Sequence, residues 1–477
     1  MAFRLGPARP PAVAAEAMVA TSQPAATRAG LRVLERGGNA ADAALAAAAV
    51  LCVTEPMSTG VGGDAFALVW DGERLHGLDA AGSAPAGAQP TSPVESSGPR
   101  SVTVPGAVRG WAALAERFGT LGLDSLLADS IAAAEQGFAV GRVTADAWRR
   151  LHPPRELGPP PTLGDRVFLP ELGRTLRRIA EHGPEALYAG EIAARIAEAT
   201  WLDEDDLAVY RPAWVAPLTL DYRGVTVCEL PPPTQGVAVL EGLGLLGLGE
   251  PSLAAQVESV RLALEDARDG VRDGADVSGL LEPGFLSARR AKAAPVVSEP
   301  AGGTVYLCAV DGYGLAVSLI QSLYEGFGSG VVAAGTGVIL QNRGACFAVS
   351  GAVEPGRRPY HTIIPGMLLR DGALVGPFGV MGGLMQAQGH VQVVSGLVDD
   401  RLDPQAALDR SRFRVQGREV LLEEGLWPRA EEIEALGLTA VRSTDPRLFG
   451  GGQAIVLEGE VLLGGSDSRK DGYAAGL

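Results

Sequence analysis

The chain changes character at Gly303, and that change limits its fold more than any other feature. Upstream, apolar residues recur at helical spacing through most of 105–153, from Leu172 to Thr200 and from Val237 to Arg272. Downstream, the runs TVYLCAVD, LAVSLIQS, GVVAAGTGVIL, HTIIPGMLLRDGALVGPFGV and GQAIVLEGEVLLGG read as strands. Helical patterns return between Gln386 and Arg412 and near Arg429 to Leu436. Turns as short as DGYG at Asp311 and DGA at Asp371 join neighbouring strands. They allow only antiparallel pairing, because a parallel neighbour needs a long crossover. A helix-rich first part and a strand-rich second part predict an α+β fold of stacked helix and sheet layers, and no internal repeat is evident.

The first helical region, about Ala25 to Thr54, is broken at RGGN. Gly37 and Gly38 suit a C-cap and Asn39 an N-cap, so two helices should meet at a tight corner. The run AADAALAAAAVLCVTEPM from Ala40 contains Asp42 and is too short to span a bilayer, so it reads as a buried helix. Next, STGVGGDAFALVWDGERLHGLDAAGSAPAG predicts a glycine-rich turn and two short strands around DGE. A phosphate loop is not expected there, since no Gly-Lys-Ser/Thr follows and the spacing does not open a helix. Pro85–Pro105 and Pro153–Pro161 read as loops, and residues 1–23 as an extended lead-in.

Composition excludes several functions. With 47% hydrophobic and 20% charged residues, 477 residues can bury a sizeable core. A net charge of −16 with no basic cluster removes electrostatic support for nucleic-acid binding. Prolines interrupt any signal-peptide core near the start, so a cytoplasmic protein without a membrane partner is expected. Cys52, Cys228, Cys308 and Cys346 show neither zinc nor redox spacing and are expected as free thiols. His76, His152, His182 and His390 show no metal spacing, and no cofactor or metal is implied.

Four blocks then carry a resemblance over nearly the whole chain: MVATSQPAATRAGLRVLERGGNAADAALAAAAVLCVTEPMSTGVGGDAFALVWDG, SVTVPGAVRGW, DYRGVTVCELPPPTQG and GGSDSRKDGYAAGL. In order and spacing the chain resembles the gamma-glutamyltransferase family. The resemblance implies an N-terminal-nucleophile hydrolase with a four-layer αββα sandwich and two central antiparallel sheets. It also implies a precursor that cuts itself between Gly303 and Thr304. Residues 1–303 would form a large subunit and 304–477 a small one, associating as one structural domain, and a homodimer is left open.

In this resemblance Thr304 is the nucleophile, with its freed amine as general base. Ser322 stands where the family has a threonine supporting that nucleophile, and serine keeps the hydroxyl. Gly382 and Gly383 match a glycine pair whose N–H groups stabilise the oxyanion. The implied partner is a small amide or peptide substrate. A family member that never cut itself would instead be a binding or scaffold protein, but joint retention of Thr304, Ser322 and the glycine pair argues against this.

The substrate pocket departs from the family. Ala81 replaces its arginine, Cys346 its acidic residue, His361 and Thr362 its paired serines, and Tyr324 an asparagine. Charge-assisted contacts contribute roughly 1.5–3 kcal/mol each, so weak gamma-glutamyl turnover is expected. The pattern resembles the branch whose members include cephalosporin acylases. Arg343, beside the altered acidic position, is a candidate for a substrate carboxylate. His361 is expected to contact substrate at most, because a nucleophile carrying its own amine needs no histidine base.

Overall fold

The computed structural model describes residues 9–290 and 303–477. The turn-prone run leading to Gly303 and the start of the lead-in lie outside these residues. Two seven-stranded sheets form the centre. One runs, edge to edge, Tyr473–Gly476, Met18–Thr21, Gly303–Val310, Ala316–Tyr324, Asp64–Trp70, Leu75–Ala80 and Ala213–Val215. The other runs Ala12–Ala14, Val461–Ser466, Gly451–Glu458, Ala373–Met381, Gly366–Arg370, Val225–Glu229 and Leu218–Tyr222. Their pairings are antiparallel, as the short turns required.

Strand alternation builds the layers. Val305, Leu307 and Ala309 join the helices around Ala40–Thr54, whereas Tyr306, Cys308 and Val310 join the apolar layer between the sheets. In the opposite sheet Phe378 and Val380 face the other helices, and Met381 faces inward. The result is helix, sheet, sheet, helix.

The predicted corner forms as expected. Helix Pro24–Glu35 ends before Gly37, whose φ is 88°, and helix Ala40–Thr54 begins after Asn39. Asn39 Oδ1 accepts from the amides of Ala41 and Asp42, and Asp42 Oδ2 accepts from the Asn39 amide. All fifteen residues of Ala40–Thr54 are buried, which explains an apolar run without a polar face.

Two expectations need correction. The helix-rich part also supplies seven strands to the central sheets, and Met18–Thr21, expected only as part of the lead-in region, pairs directly with Gly303–Val310. Segments on both sides of Thr304 therefore interleave in each sheet. In GVVAAGTGVIL, only Val332–Ala333 and Val338–Ile339 pair as strands, because Gly335 and Gly337 turn the chain at positive φ.

Candidate active site

Thr304 lies at the start of Gly303–Val310, where the pairing register shifts between Gly303 and Val305. Such a bulge re-aims a side chain out of the regular ladder. The buried Thr304 hydroxyl donates to Ser322 Oγ at 3.2 Å, and Ser322 donates onward to the Gly303 carbonyl at 2.6 Å. The Tyr324 amide also donates to Ser322 Oγ, at 2.8 Å. One serine hydroxyl thus links the threonine hydroxyl to the carbonyl immediately before it. A side chain at Gly303 would bring its Cβ to 2.9 Å from the Met57 carbonyl, so that backbone position is confined.

Across the gap, Gly382 and Gly383 follow strand Ala373–Met381 with φ of 126° and 61°. Among the described residues neither amide donates to a backbone carbonyl. Side chains at such angles are strained, which gives the glycine identities a backbone reason. Two residues not singled out in the sequence join here. Gln386 Nε2 lies 3.4 Å from Thr304 Oγ1, while its Oε1 accepts from the Ile364 amide. Gln235 Nε2 donates to the carbonyls of Thr362, at 2.6 Å, and Gly383, at 3.4 Å. The signal available was an amide side chain in an otherwise apolar stretch, which spacing alone cannot separate from a structural residue.

The predicted pocket residues also gather. Arg343 is fully buried, with Cζ 4.5 Å from the centre of the Tyr324 ring. Its Nη1 donates to Thr362 Oγ1 at 3.2 Å and approaches Cys346 Sγ at 3.7 Å. Tyr324 has φ of 78°, a rare conformation for a bulky side chain that marks a constrained position.

His361 is held on both sides. Nδ1 donates to the Pro359 carbonyl at 2.7 Å, and Nε2 pairs with Asp64 Oδ2 at 3.0 Å. Burial and the Arg343 charge pull the imidazole pKa below its usual value, with Asp64 opposing them. Both ring nitrogens are committed, which leaves neither for a substrate proton. Asp64 Oδ1 also accepts from the amides of Gly82 and Gly106 and from Gln341 Nε2. Ala81 lies beside this hub in the apolar layer between the sheets, its amide on Asp79. Asp64 and Gln341 are further residues that the sequence did not mark.

Elsewhere His390 forms a buried pair with Glu229 at 2.7 Å, and His76 pairs with Asp71 near the surface. Among the described residues no cluster of three or more His, Cys, Asp or Glu could hold a metal, and no helix is long and apolar enough to cross a membrane. None of the four cysteines forms a disulfide.

Comparison with known proteins places the chain in a family. The family model described as Gamma-glutamyltranspeptidase matches residues 26–477. The Glutathione hydrolase-like YwrD proenzyme of Bacillus subtilis (strain 168) is 33% identical, over 96% of this chain and 98% of that protein. The Oxamate amidohydrolase proenzyme of Klebsiella pneumoniae is 32% identical, over 94% and 96% respectively. A cephalosporin acylase crystal structure from Bacillus halodurans superposes with a TM-score of 0.94 at 39% identity, covering 100% of this chain and 98% of that one. By name these relatives are a hydrolase-like proenzyme, an amidohydrolase proenzyme and an acylase, and the acylase structure shares the layered fold described above. The chain is an enzyme of the gamma-glutamyltranspeptidase family, built on the N-terminal-nucleophile hydrolase fold.

Proposed function

We propose that this chain is a proenzyme that cuts itself between Gly303 and Thr304 and then hydrolyses or transfers acyl groups through an ester on Thr304. The observation carrying this reading is the hydrogen-bond chain from Thr304 through Ser322 to the Gly303 carbonyl.

In processing, Thr304 Oγ attacks the Gly303 carbonyl carbon. Its proton moves to Ser322 as the Ser322 proton moves to the developing oxyanion, which neutralises both charges without bulk water. Collapse restores the carbonyl, breaks the C–N bond and returns a proton to the departing Thr304 nitrogen. Water then hydrolyses the resulting ester to a Gly303 carboxylate and a free Thr304 hydroxyl, beside the amine already released. Fragments 1–303 and 304–477 stay together because their strands interleave in both sheets.

In turnover, the freed amine takes the Thr304 hydroxyl proton as Oγ attacks a substrate amide. The Gly382 and Gly383 amides receive the tetrahedral oxyanion, one such donor being worth about 3 kcal/mol in the barrier. Collapse expels the amine product, which takes the proton held by Thr304. Water then completes hydrolysis of the acyl ester, or an acceptor amine completes transfer. Ser322 orients the nucleophile in both stages, and Gln386 lies within reach of the same oxygen.

True gamma-glutamyl donors should be poor substrates, because Ala81 and Cys346 supply neither charge of an amino-acid clamp. The test is intact mass of the purified protein, followed by turnover of a panel of acyl anilides. Two fragments and a covalent acyl adduct on 304–477 support the reading. A single uncut chain that still turns over anilides would falsify it.

A further inference from the structure

We propose that Gln386 is a catalytic residue: its side-chain amide donates to Thr304 Oγ and stabilises that oxygen whenever negative charge develops on it. The inference rests on the reading of Thr304 as the acylated residue and adds a second group acting on the same atom.

Gln386 is fully buried on helix Met385–Val398, whose first twelve residues are all buried. An amide in such a place is unfavourable unless both of its ends are bonded. One end settles the other. A backbone N–H can only donate, so the atom facing the Ile364 amide at 3.1 Å is the oxygen Oε1. The atom facing Thr304 Oγ1 at 3.4 Å is then the nitrogen, a donor.

That donor gives the hydroxyl chain a single direction. Gln386 donates to Thr304, Thr304 to Ser322 at 3.2 Å, and Ser322 to the Gly303 carbonyl at 2.6 Å. With a donor-only group at one end and an acceptor-only group at the other, neither hydroxyl can turn round. The Thr304 proton is thereby aimed at Ser322, the group that receives it in the proposed self-cleavage.

In attack, the Thr304 O–H bond breaks as the bond from Oγ to the carbonyl carbon forms, and negative charge grows on Oγ between the two events. In deacylation that bond breaks and its electron pair returns to Oγ. The charge lasts until the Thr304 amine, protonated by the attacking water, gives its proton back. A fixed N–H beside Oγ lowers both barriers without itself transferring a proton. Resting-state hydrogen bonds of this kind are often long and tighten as charge develops, which fits 3.4 Å.

The backbone of the same residue holds the glycine pair. The Gln386 amide donates to the Gly383 carbonyl at 3.1 Å, as the Met385 amide does to that of Gly382 at 3.1 Å. In a trans peptide the N–H lies opposite the C=O, so the Gly383 amide is turned away from the helix.

The experiment uses the whole chain, with 4-nitrophenyl acetate and glutaryl 4-nitroanilide as probes. In Gln386→Met, which keeps the length but has no donor, kcat for both should fall by about 10-fold to 100-fold with KM little changed. Uncut chain should also accumulate. Gln386→Glu is nearly isosteric and keeps an oxygen for the Ile364 amide. Ionised, it turns an acceptor toward Oγ; protonated, it donates as the amide does. Its kcat relative to wild type should therefore rise by about fivefold or more from pH 8 to pH 5, while that of Gln386→Met stays flat. Where a variant stays uncut, the rate at which fragments appear from the purified chain is read against pH instead. Melting curves at each pH confine the comparison to folded protein.

A loss in Gln386→Glu that is the same at pH 5 and pH 8 overturns the inference, because the donor is then irrelevant. So does a kcat in Gln386→Met equal to that of wild type, or a rise in KM alone. In each of these cases an acid-quenched acetyl adduct on fragment 304–477 of the wild type leaves the nucleophile reading intact. Absence of that adduct overturns both.

Discussion

The two ends of the site are built on opposite principles. At the Thr304 end the polar side chains are linked into a continuous network: Thr304 to Ser322, Ser322 to Gly303, and Gln386 to both Thr304 and the Ile364 amide. At the Arg343 end a buried cation keeps two donors without partners among the described residues. A bonded network holds reacting atoms in place before substrate arrives. An incompletely bonded one stores its interaction for a ligand. On the proposed function, the comparison separates the reaction and its specificity into different parts of one pocket, so a change at one end should leave the other intact.

The sharpest way to break this comparison is Thr304→Ala. It should leave one chain of 49.1 kDa in place of two fragments. It should also lower anilide turnover by about a thousandfold or more, since one hydroxyl serves both steps. Normal processing in that variant would remove Thr304 from the mechanism. Gly383→Val should come next, lowering kcat by about 100-fold to 1,000-fold once processing is complete. Circular dichroism must show a native fold for that comparison, and an unchanged kcat would clear the glycine of any role.

Ser322→Ala should slow both cleavage and turnover by about 100-fold, whereas Ser322→Thr should keep most of each. Equal effects of both substitutions would mean that the hydroxyl is structural. At the other end, Ala81→Arg with Cys346→Asp should raise kcat/KM for a gamma-glutamyl anilide by about 10-fold or more. A ratio of gamma-glutamyl to glutaryl turnover that does not move would show that those positions no longer govern specificity.

The smallest effect tests a buried pair outside the site. Burial raises the Glu229 carboxyl well above its ordinary pKa and lowers the His390 imidazole to about 3, which favours the uncharged form of each partner. For Glu229 the folded pKa is raised. Its contribution is therefore complete below the ordinary carboxylate range and declines as pH rises toward the folded value. Glu229→Gln keeps a neutral partner that does not titrate. The melting temperature of Glu229→Gln relative to wild type should rise by a few degrees between pH 5 and pH 9, on the order of 1 kcal/mol or more of linkage. Parallel melting curves across that range would mean the carboxyl is already ionised in the fold.

Much was legible before the structure. The capped corner at Asn39 and the hairpins at Asp311 and Asp371 are decided by residues a few positions apart, so local sequence reports them directly. Met18–Thr21 was not legible as a central strand. Its pairing depends on Gly303–Val310, almost three hundred positions away, and four apolar residues alone do not announce a partner. The roles of Gln235, Gln386 and Asp64 were hidden for the same reason: each is defined by distant carbonyls or amides.

The sequence by itself determined the layered fold class, the family and the threonine, serine and glycine pair on which the proposed chemistry rests. The fold class follows from local periodicity and short turns, whereas the family and those candidate residues follow from the resemblance of four blocks in order and spacing. The tertiary structure alone decided that His361 is tied up by Asp64 and Pro359, and that one edge of Arg343 has no hydrogen-bond partner among the described residues. Hydrogen-bond satisfaction is a property of what surrounds a group in space, and residues 64, 324, 343 and 361 become neighbours only when the two sheets close over them.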